Sequence, residues 1–440
     1  MRGPDHHNGL GRTVLAGVFF AAAAGLLAAR AWALVNVPGA PDHARWVLQD
    51  FRDAIYYPVV ALLDGGNPYD VAAYYARYPV GQEFPVYSPL TLLVHLPFGL
   101  LPYRLAEGLY FAVTLALTVV LAGVSLRLAG LPQRADAVLT VAALLLLSRP
   151  GQSNLLLGQS TLLAVLATVT ALHWARSHPW RATAALALAT FKPTFGIPLA
   201  VLLALRGDVW VAARGLAIGG AVAALVAVWP AAGAGGVEPF LRALLDNQSQ
   251  MRATPQVDPA TSWLRIDSWA LAARLAGRSL GVVVESVLSL VVLGGTGLLL
   301  RRAARGTAES AGHVTLALAS AGILAGLYHQ VYDLLLLAPA TVAVLSGRPA
   351  DLWAARPLWR AGLAVALIGL FANYATTNTA LSRLGIGGGW WLVIVSVNGL
   401  LLLAVWLAYA GLALRLGRSG ARVPTERRRV WTRRRVGVAP

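Results

Sequence analysis

The chain has 440 residues, of which 57% are hydrophobic and 12% are charged, and it contains no cysteine. This composition excludes an ordinary soluble domain, and the lack of cysteine excludes disulfides and cysteine-bound metals. The net charge of +17 does not indicate nucleic-acid binding, because nine of the arginines lie in the segment 415–440.

Apolar segments of about 20 residues recur along the chain and predict an all-α polytopic membrane protein. The first, at residues 14–35, is longer than the apolar region of a signal peptide and is expected to remain as a membrane helix. We expect a bundle of about twelve transmembrane helices, at residues 14–35, 107–126, 136–148, 155–174, 181–191, 194–205, 209–230, 280–300, 311–327, 330–346, 358–374 and 390–413.

The positions of the arginines predict the orientation of these helices. With twelve spans and a cytoplasmic N-terminus, the five short loops that carry two or more arginines fall in the cytoplasm, as the positive-inside rule requires. These arginines are Arg127 and Arg134, Arg176 and Arg181, Arg206 and Arg214, Arg301, Arg302 and Arg305, and Arg348, Arg356 and Arg360. Two large loops, at about residues 36–105 and 231–279, then lie outside. We predict a multi-pass protein of the bacterial plasma (inner) membrane with both termini in the cytoplasm.

The last part of the chain is predicted to be a separate tail. Residues 415–440 follow the last apolar segment, and Glu426 is their only acidic residue. Such a segment is typical of a disordered cytoplasmic tail that contacts anionic lipid. Residues 1–414 are predicted to form a single transmembrane domain.

Asp50 and Asp53 lie in the first large loop, shortly after the first helix. On a helix at the membrane surface they would share one face, where a carboxylate can act as a general base on a hydroxyl. The alternative is structural: Asp50 caps a short helix, and Asp53 pairs with Arg52 or another arginine. Tyr87 follows in a proline-containing turn, and the apolar segment 89–101 is expected to lie at the outer interface because it is too short to span.

Arg149, Gln152 and Asn154 lie in a turn at the predicted outer side, where a helix restarts. An arginine beside the amides of a helix N-terminus attracts anions. Gln152 and Asn154 could equally cap the helix.

Lys192 is the only lysine among the 36 lysine and arginine residues, and it lies between the apolar segments 181–191 and 194–205. Each segment is about 16 Å long, roughly half a bilayer, so the two are expected to form a hairpin with Lys192 and Pro193 at its tip. An ammonium in the membrane needs water, a counter-ion or an anionic ligand, and a charge beside a helix break is typical of a site. We expect Lys192 to bind a phosphate.

His329, Tyr332 and Asp333 interrupt an apolar stretch at the predicted outer side. On a helix, His329 and Asp333 would share one face, where they could ligate a metal, pair with each other or bind a sugar phosphate. Two ligands alone are weak evidence for a metal.

In chain order these motifs resemble the GT-C superfamily of membrane glycosyltransferases. Within it they are most similar to glycosyltransferase family 87, the polyprenol-phosphate-sugar-dependent mannosyl- and arabinofuranosyltransferases of actinobacterial envelopes. The resembling elements, over about residues 45–340, are Asp50-Phe51 with Tyr56-Tyr57, Gly65 to Tyr69, Tyr87 to Leu90, Pro97 to Pro102, Gly151 to Asn154, Phe191-Lys192-Pro193 and His329 to Asp333. The family usually has Tyr-Pro-Pro where this chain has Tyr87-Ser88-Pro89, a difference expected to affect the acceptor groove.

The resemblance implies an inverting transferase that moves mannose, or next arabinofuranose, from a polyprenyl phosphate to a lipid-linked or cell-envelope glycan on the extracytoplasmic face. Asp50 would be the base, with Asp53 and His329 as possible support. The expected ligands of the donor phosphate are Lys192, Arg149, Gln152 and Asn154, and those of the substrate are Tyr87, Tyr332 and Asp333. The expected partners are membrane lipid, the sugar donor and the glycan acceptor, with no metal, cofactor or nucleic acid.

A flippase or other transporter of lipid-linked sugars is the main alternative, because broken helices and membrane-embedded charges also occur in transporters. We find no internal repeat that relates the two halves of the chain, and the polar groups gather on one predicted face, which favours the enzyme. A non-catalytic scaffold is a second alternative. It is less favoured, because a scaffold needs neither the membrane-embedded Lys192 nor an acidic first loop.

Overall fold

The computed structural model describes residues 5–35, 48–81, 87–303, 308–354 and 356–420. Within these ranges the chain is helical, and extended backbone pairs only in an isolated bridge between Arg265 and Gln330. The all-α membrane fold predicted from the sequence is therefore confirmed.

The first part of the chain contains one long helix, α1 (Asp5–Val35), and a set of short helices in the first loop. The short helices are α2 (Gln49–Phe51), α3 (Tyr57–Leu63), α4 (Val71–Arg77), α5 (Leu90–Val94) and α6 (Leu96–Gly99). A π-helical turn at Arg52–Tyr56 joins α2 to α3. Two helices, α5 and α6, stand where one interfacial helix was expected, because the backbone leaves the helical conformation at His95.

The central bundle consists of α7 (Tyr103–Leu128), α8 (Ala135–Leu147), α9 (Arg149–Leu157), α10 (Thr161–Trp174), α11 (Pro179–Ala189), α12 (Pro193–Arg206) and α13 (Val209–Gly233). The second loop contains α14 (Val237–Arg252) and α15 (Ser268–Ala276). The remaining helices are α16 (Gly281–Ala303), α17 (Ala308–Gly326), a 3-10 helix at Val331–Leu337 that leads into α18 (Ala338–Leu345), α19 (Ala350–Trp353), α20 (Pro357–Ala372), a 3-10 turn at Tyr374–Thr376, α21 (Asn378–Arg383) and α22 (Gly388–Gly420).

Every predicted span overlaps a helix, and six helices of the described ranges are long and apolar enough to cross a membrane. The predicted span 155–174 is divided, because Gly158 ends α9 in the left-handed conformation (φ 73°) and α10 begins at Thr161. Helix α22 continues to Gly420, past the predicted start of the tail at residue 415. Residues 421–440 lie outside the described ranges.

Glycines of α13 allow this helix to approach α11 closely. A Cβ added at Gly219 would lie 2.2 Å from Thr190 Oγ1, and one at Gly215 would lie 2.5 Å from the Leu186 side chain. Small residues at such contacts are typical of membrane helix pairs. The contact supports the α11–α12 hairpin, which has Lys192 and Pro193 at its tip.

We expect Gly219→Ala to destabilise the protein by about 1–3 kcal/mol, because the added methyl group overlaps Thr190. Thr190 cannot move freely, since its hydroxyl donates to Ala187 O (2.6 Å). The matched control is Gly220→Ala, where a Cβ would meet no atom within 4 Å. The measurement is the thermal unfolding midpoint in detergent. Equal midpoints for the two variants would contradict the close α11–α13 contact.

Candidate active site

Asp50 is positioned by contacts between the first loop and the end of α9. Leu48, with φ 53°, donates its backbone N–H to Leu156 O (2.5 Å). A Cβ at Gly158 would lie 2.7 Å from Phe51 Cβ, so only glycine allows this approach. Gln159 then donates from its side-chain amide to a carboxylate oxygen of Asp50. The α9–α10 junction therefore determines where the Asp50 carboxylate lies.

Lys192 lies at the tip of the α11–α12 hairpin and has a counter-ion. Its Nζ donates to Asp333 Oδ1 (2.8 Å) and to Thr161 Oγ1 (2.6 Å), and its side chain is 11% exposed. The ammonium also lies 4.8 Å from the ring centroid of Tyr332 and 5.2 Å from that of Phe195. The need for a counter-ion, expected from the sequence, is met by a carboxylate of the protein.

His329 extends this group of charges. Its Nδ1 lies 3.0 Å from Asp333 Oδ2, and its Nε2 lies 3.1 Å from Thr194 O. Both partners are acceptors, so both contacts are hydrogen bonds only when the ring carries two protons. Asp333 Oδ2 also accepts the backbone N–H of Gln330 (3.0 Å). Metal binding, mutual pairing and sugar-phosphate binding were considered for His329 and Asp333, and in the structure the two side chains pair with each other.

Gln159 and Thr161 connect the two parts of the site. Gln159 contacts Asp50, while Thr161 lies next to Lys192 and donates from its hydroxyl to Asp333 Oδ1 (3.1 Å). Neither residue was predicted to belong to the site. Gln159 lies five residues after Asn154 of the helix-restart turn, which was the nearest sequence signal, whereas the sequence around Thr161 gave none.

Tyr87 lies beside the same carboxylates. Its side chain hydrogen-bonds Gln159, and burial together with the Asp50 charge raises the pKa of Tyr87 well above its usual value. Its carbonyl accepts the hydroxyl of Tyr69 (2.9 Å), which fixes this part of the first loop. The structure thus brings together Asp50, Tyr87, Lys192, His329, Tyr332 and Asp333.

The second loop supports the site from a side that the sequence did not reveal. Residues 264–266 pair with residues 329–331 through two backbone hydrogen bonds of 3.1 and 3.0 Å. Arg265 forms two hydrogen bonds with Asp267 (2.9 and 2.7 Å), and its guanidinium lies 4.9 Å from the Tyr328 ring centroid. The segment that carries His329 is therefore held by a strap from the second loop.

Asp53 does not face this cluster. It is fully buried, its carboxylate accepts two hydrogen bonds from Arg52 (2.5 and 3.1 Å), and it also accepts the backbone N–H of Gly81 (3.0 Å). These contacts match the structural alternative, in which Asp53 pairs with an arginine and stabilises the first loop.

In the described part of the chain, no hydrogen bond connects Lys192 to the other three predicted phosphate ligands, Arg149, Gln152 and Asn154. Arg149 donates to Ser153 Oγ, and Gln152 Oε1 accepts from Arg30 (3.3 Å). Asn154 is 1% exposed, and neither polar atom of its side chain has a hydrogen-bond partner in the described part of the chain. Their predicted role at the donor phosphate therefore stays a prediction.

We expect Asp333→Asn to destabilise the protein by about 3–5 kcal/mol, because it leaves the buried Lys192 without its counter-ion. The double variant Lys192→Met/Asp333→Asn should lose less than the sum of the two single losses, measured by denaturant titration in detergent. The matched control is Glu238→Gln, which breaks an exposed ion pair with Arg242 and should cost less than about 1 kcal/mol. Strictly additive single losses would show that the Lys192–Asp333 contact does not stabilise the fold.

Comparison with known proteins identifies the family of the chain. The family model described as glycosyltransferase family 87 matches residues 85–316, more than half of the sequence. The matched range includes Gln159, Thr161 and Lys192 and ends before His329. No curated protein and no solved structure matches the chain. The chain is a multi-pass membrane glycosyltransferase that belongs to glycosyltransferase family 87.

Proposed function

We propose that this glycosyltransferase moves a sugar, with inversion, from a polyprenyl phosphate to a lipid-linked or cell-envelope glycan. The observation that carries the proposal is the connection through Gln159 and Thr161. It sets the Asp50 carboxylate beside a buried group of charges, Lys192, Asp333 and His329. A base and a cationic group side by side are what displacement of a phosphate by a hydroxyl requires.

Asp50 is the proposed general base. It takes the proton of the acceptor hydroxyl while the hydroxyl oxygen bonds to the anomeric carbon of the sugar. The bond between that carbon and the phosphate oxygen breaks, and polyprenyl phosphate leaves with the electron pair. The amide of Gln159 orients the carboxylate by donating to one of its oxygens.

The leaving phosphate gains negative charge, and the proposed stabilising groups are Lys192 and His329. An ammonium has three N–H donors, and Lys192 uses two of them on Thr161 and Asp333, which leaves one for a ligand. With His329 doubly protonated, the two cations and the one carboxylate carry a net charge of +1. Asp333 then acts as the group that positions both cations, in place of the direct substrate contact expected from the sequence.

The proposed site faces the extracytoplasmic side of a bacterial plasma membrane. Helices α10 and α12 begin at the site and end near Arg176 and Arg206, so the positive-inside rule supports this orientation. Mannose is the first proposed sugar and arabinofuranose the second. We propose no cofactor besides the polyprenyl-phosphate donor.

Asp50→Asn should lower sugar transfer by at least about 100-fold, because the amide cannot accept the acceptor proton. The assay incubates the purified protein with radiolabelled polyprenyl-phospho-mannose and candidate glycolipid acceptors. Asp246→Asn, at an exposed carboxylate of α14, is the matched control and should keep full activity. Transfer by Asp50→Asn at the wild-type rate would exclude Asp50 as the base. Movement of the lipid-linked sugar across liposomes without transfer would favour the flippase.

Lys192→Met should lower kcat by about 100-fold and change the KM for the acceptor little, because the charge acts on the leaving phosphate. The measurement is steady-state kinetics well below the unfolding midpoint of the variant. Lys192→Arg keeps a positive charge and should retain part of the activity. An unchanged kcat in Lys192→Met would remove Lys192 from the phosphate site.

A further inference from the structure

Two arginines from different helices come together at the start of α9, away from Asp50. Arg30, near the end of α1, donates from Nη1 to Gln152 Oε1 (3.3 Å), while Arg149 donates to Ser153 Oγ. Burial lowers the pKa of the Arg149 guanidinium to about 10; the neighbouring Tyr374 opposes this shift, and the positive charge of Arg30 adds to it. The positive charge of Arg30 is therefore close enough to disfavour the charged form of Arg149.

No carboxylate of the described residues forms an ion pair with either arginine. Nε of Arg149 is buried and has no hydrogen-bond partner in the described ranges. A buried N–H donor without a partner and two neighbouring positive charges both cost free energy. An anion that bridges Arg30 and Arg149 would relieve both costs.

The membrane is the route by which such an anion arrives. Only 22% of the apolar window of α1 is buried against the rest of the protein, and the Arg30 side chain is exposed. Arg30 lies five residues, about 8 Å, before the end of this helix, and a long arginine side chain can reach from such a position to a lipid headgroup. Guanidinium groups bind phosphate through paired N–H donors, which suits the phosphate of a lipid.

We propose that Arg30, Arg149 and Gln152 bind the phosphate group of a membrane lipid, at a site separate from the cluster of Lys192 and Asp333. Helix α9 spans nine residues, so Arg149 lies about 12 Å along the axis from the last residue of the helix, beyond which Gln159 and Thr161 contact the other cluster. The lipid is a polyprenyl phosphate or an anionic phospholipid, which carry the same phosphate chemistry. Binding at this site does not depend on sugar transfer.

The test is equilibrium binding to the full chain in phosphatidylcholine nanodiscs. Undecaprenyl phosphate and phosphatidylglycerol are titrated separately, and bound lipid is counted by native mass spectrometry. Arg30→Gln and Arg149→Gln should each weaken binding of at least one of these lipids about tenfold, as expected for loss of one charge-assisted contact. The matched control is Arg12→Gln, which removes the same charge from the opposite, exposed end of α1.

Loss of affinity for undecaprenyl phosphate alone assigns the site to the donor or product lipid. Loss for phosphatidylglycerol alone assigns it to a bound phospholipid, and loss for both assigns it to lipid phosphate in general. Unchanged affinity in both variants, or an equal loss in Arg12→Gln, would overturn the site. If Arg149→Gln fails to fold in detergent, Arg30→Gln, at an exposed side chain, still gives the result. Because no turnover is measured, failure of the proposed transfer reaction leaves this test unaffected.

Discussion

The buried ion pair between Lys192 and Asp333 is the contact on which the rest of the site depends. It joins the N-terminus of α12 to the 3-10 helix that follows α17, and Thr161 adds α10 to the same group. Charges in a membrane protein are costly unless they are paired and hydrogen-bonded. This pair fixes α10, α12 and the 3-10 helix relative to one another. The contacts that stabilise the fold are therefore the same ones that set the geometry of the site.

The first loop completes the site because it packs against the α9–α10 junction at residues 156–159. Phe51 packs against Gly158, which lacks the Cβ that would block it, and its ring stacks on Tyr110 at 4.4 Å. Asp53 is used for the internal structure of the loop, which leaves Asp50 as the carboxylate that faces the bundle. The same loop therefore contains one aspartate that stabilises it and one that we propose for chemistry.

The cations of this end of the protein divide into two groups along α9. Lys192 is held by Asp333, and His329 shares that carboxylate, so together they form a group with its own counter-ion next to Asp50. Arg30 and Arg149 lie at the beginning of α9, and each donates to a neutral acceptor, Arg30 to Gln152 and Arg149 to Ser153. A group with its own counter-ion suits a transient charge in a reaction, whereas an uncompensated pair suits a resident anion.

The sequence alone determined the helices and the break at Lys192 and Pro193, since apolar length and proline are local properties, and it singled out Asp50, Lys192 and His329 as candidates for the site. Only the tertiary structure decided which side chains meet. Gln159 reaches Asp50 across 109 positions, and Lys192 reaches Asp333 across 141. The contact of Arg30 with Gln152 beside Arg149 and the strap of Arg265 were likewise not readable from local patterns. The pairing of Asp53 with Arg52, by contrast, was one of the alternatives that the sequence left open. Hydrophobicity and helix breaks fix what crosses the membrane, but partner choice among buried polar groups follows from how the helices pack against one another.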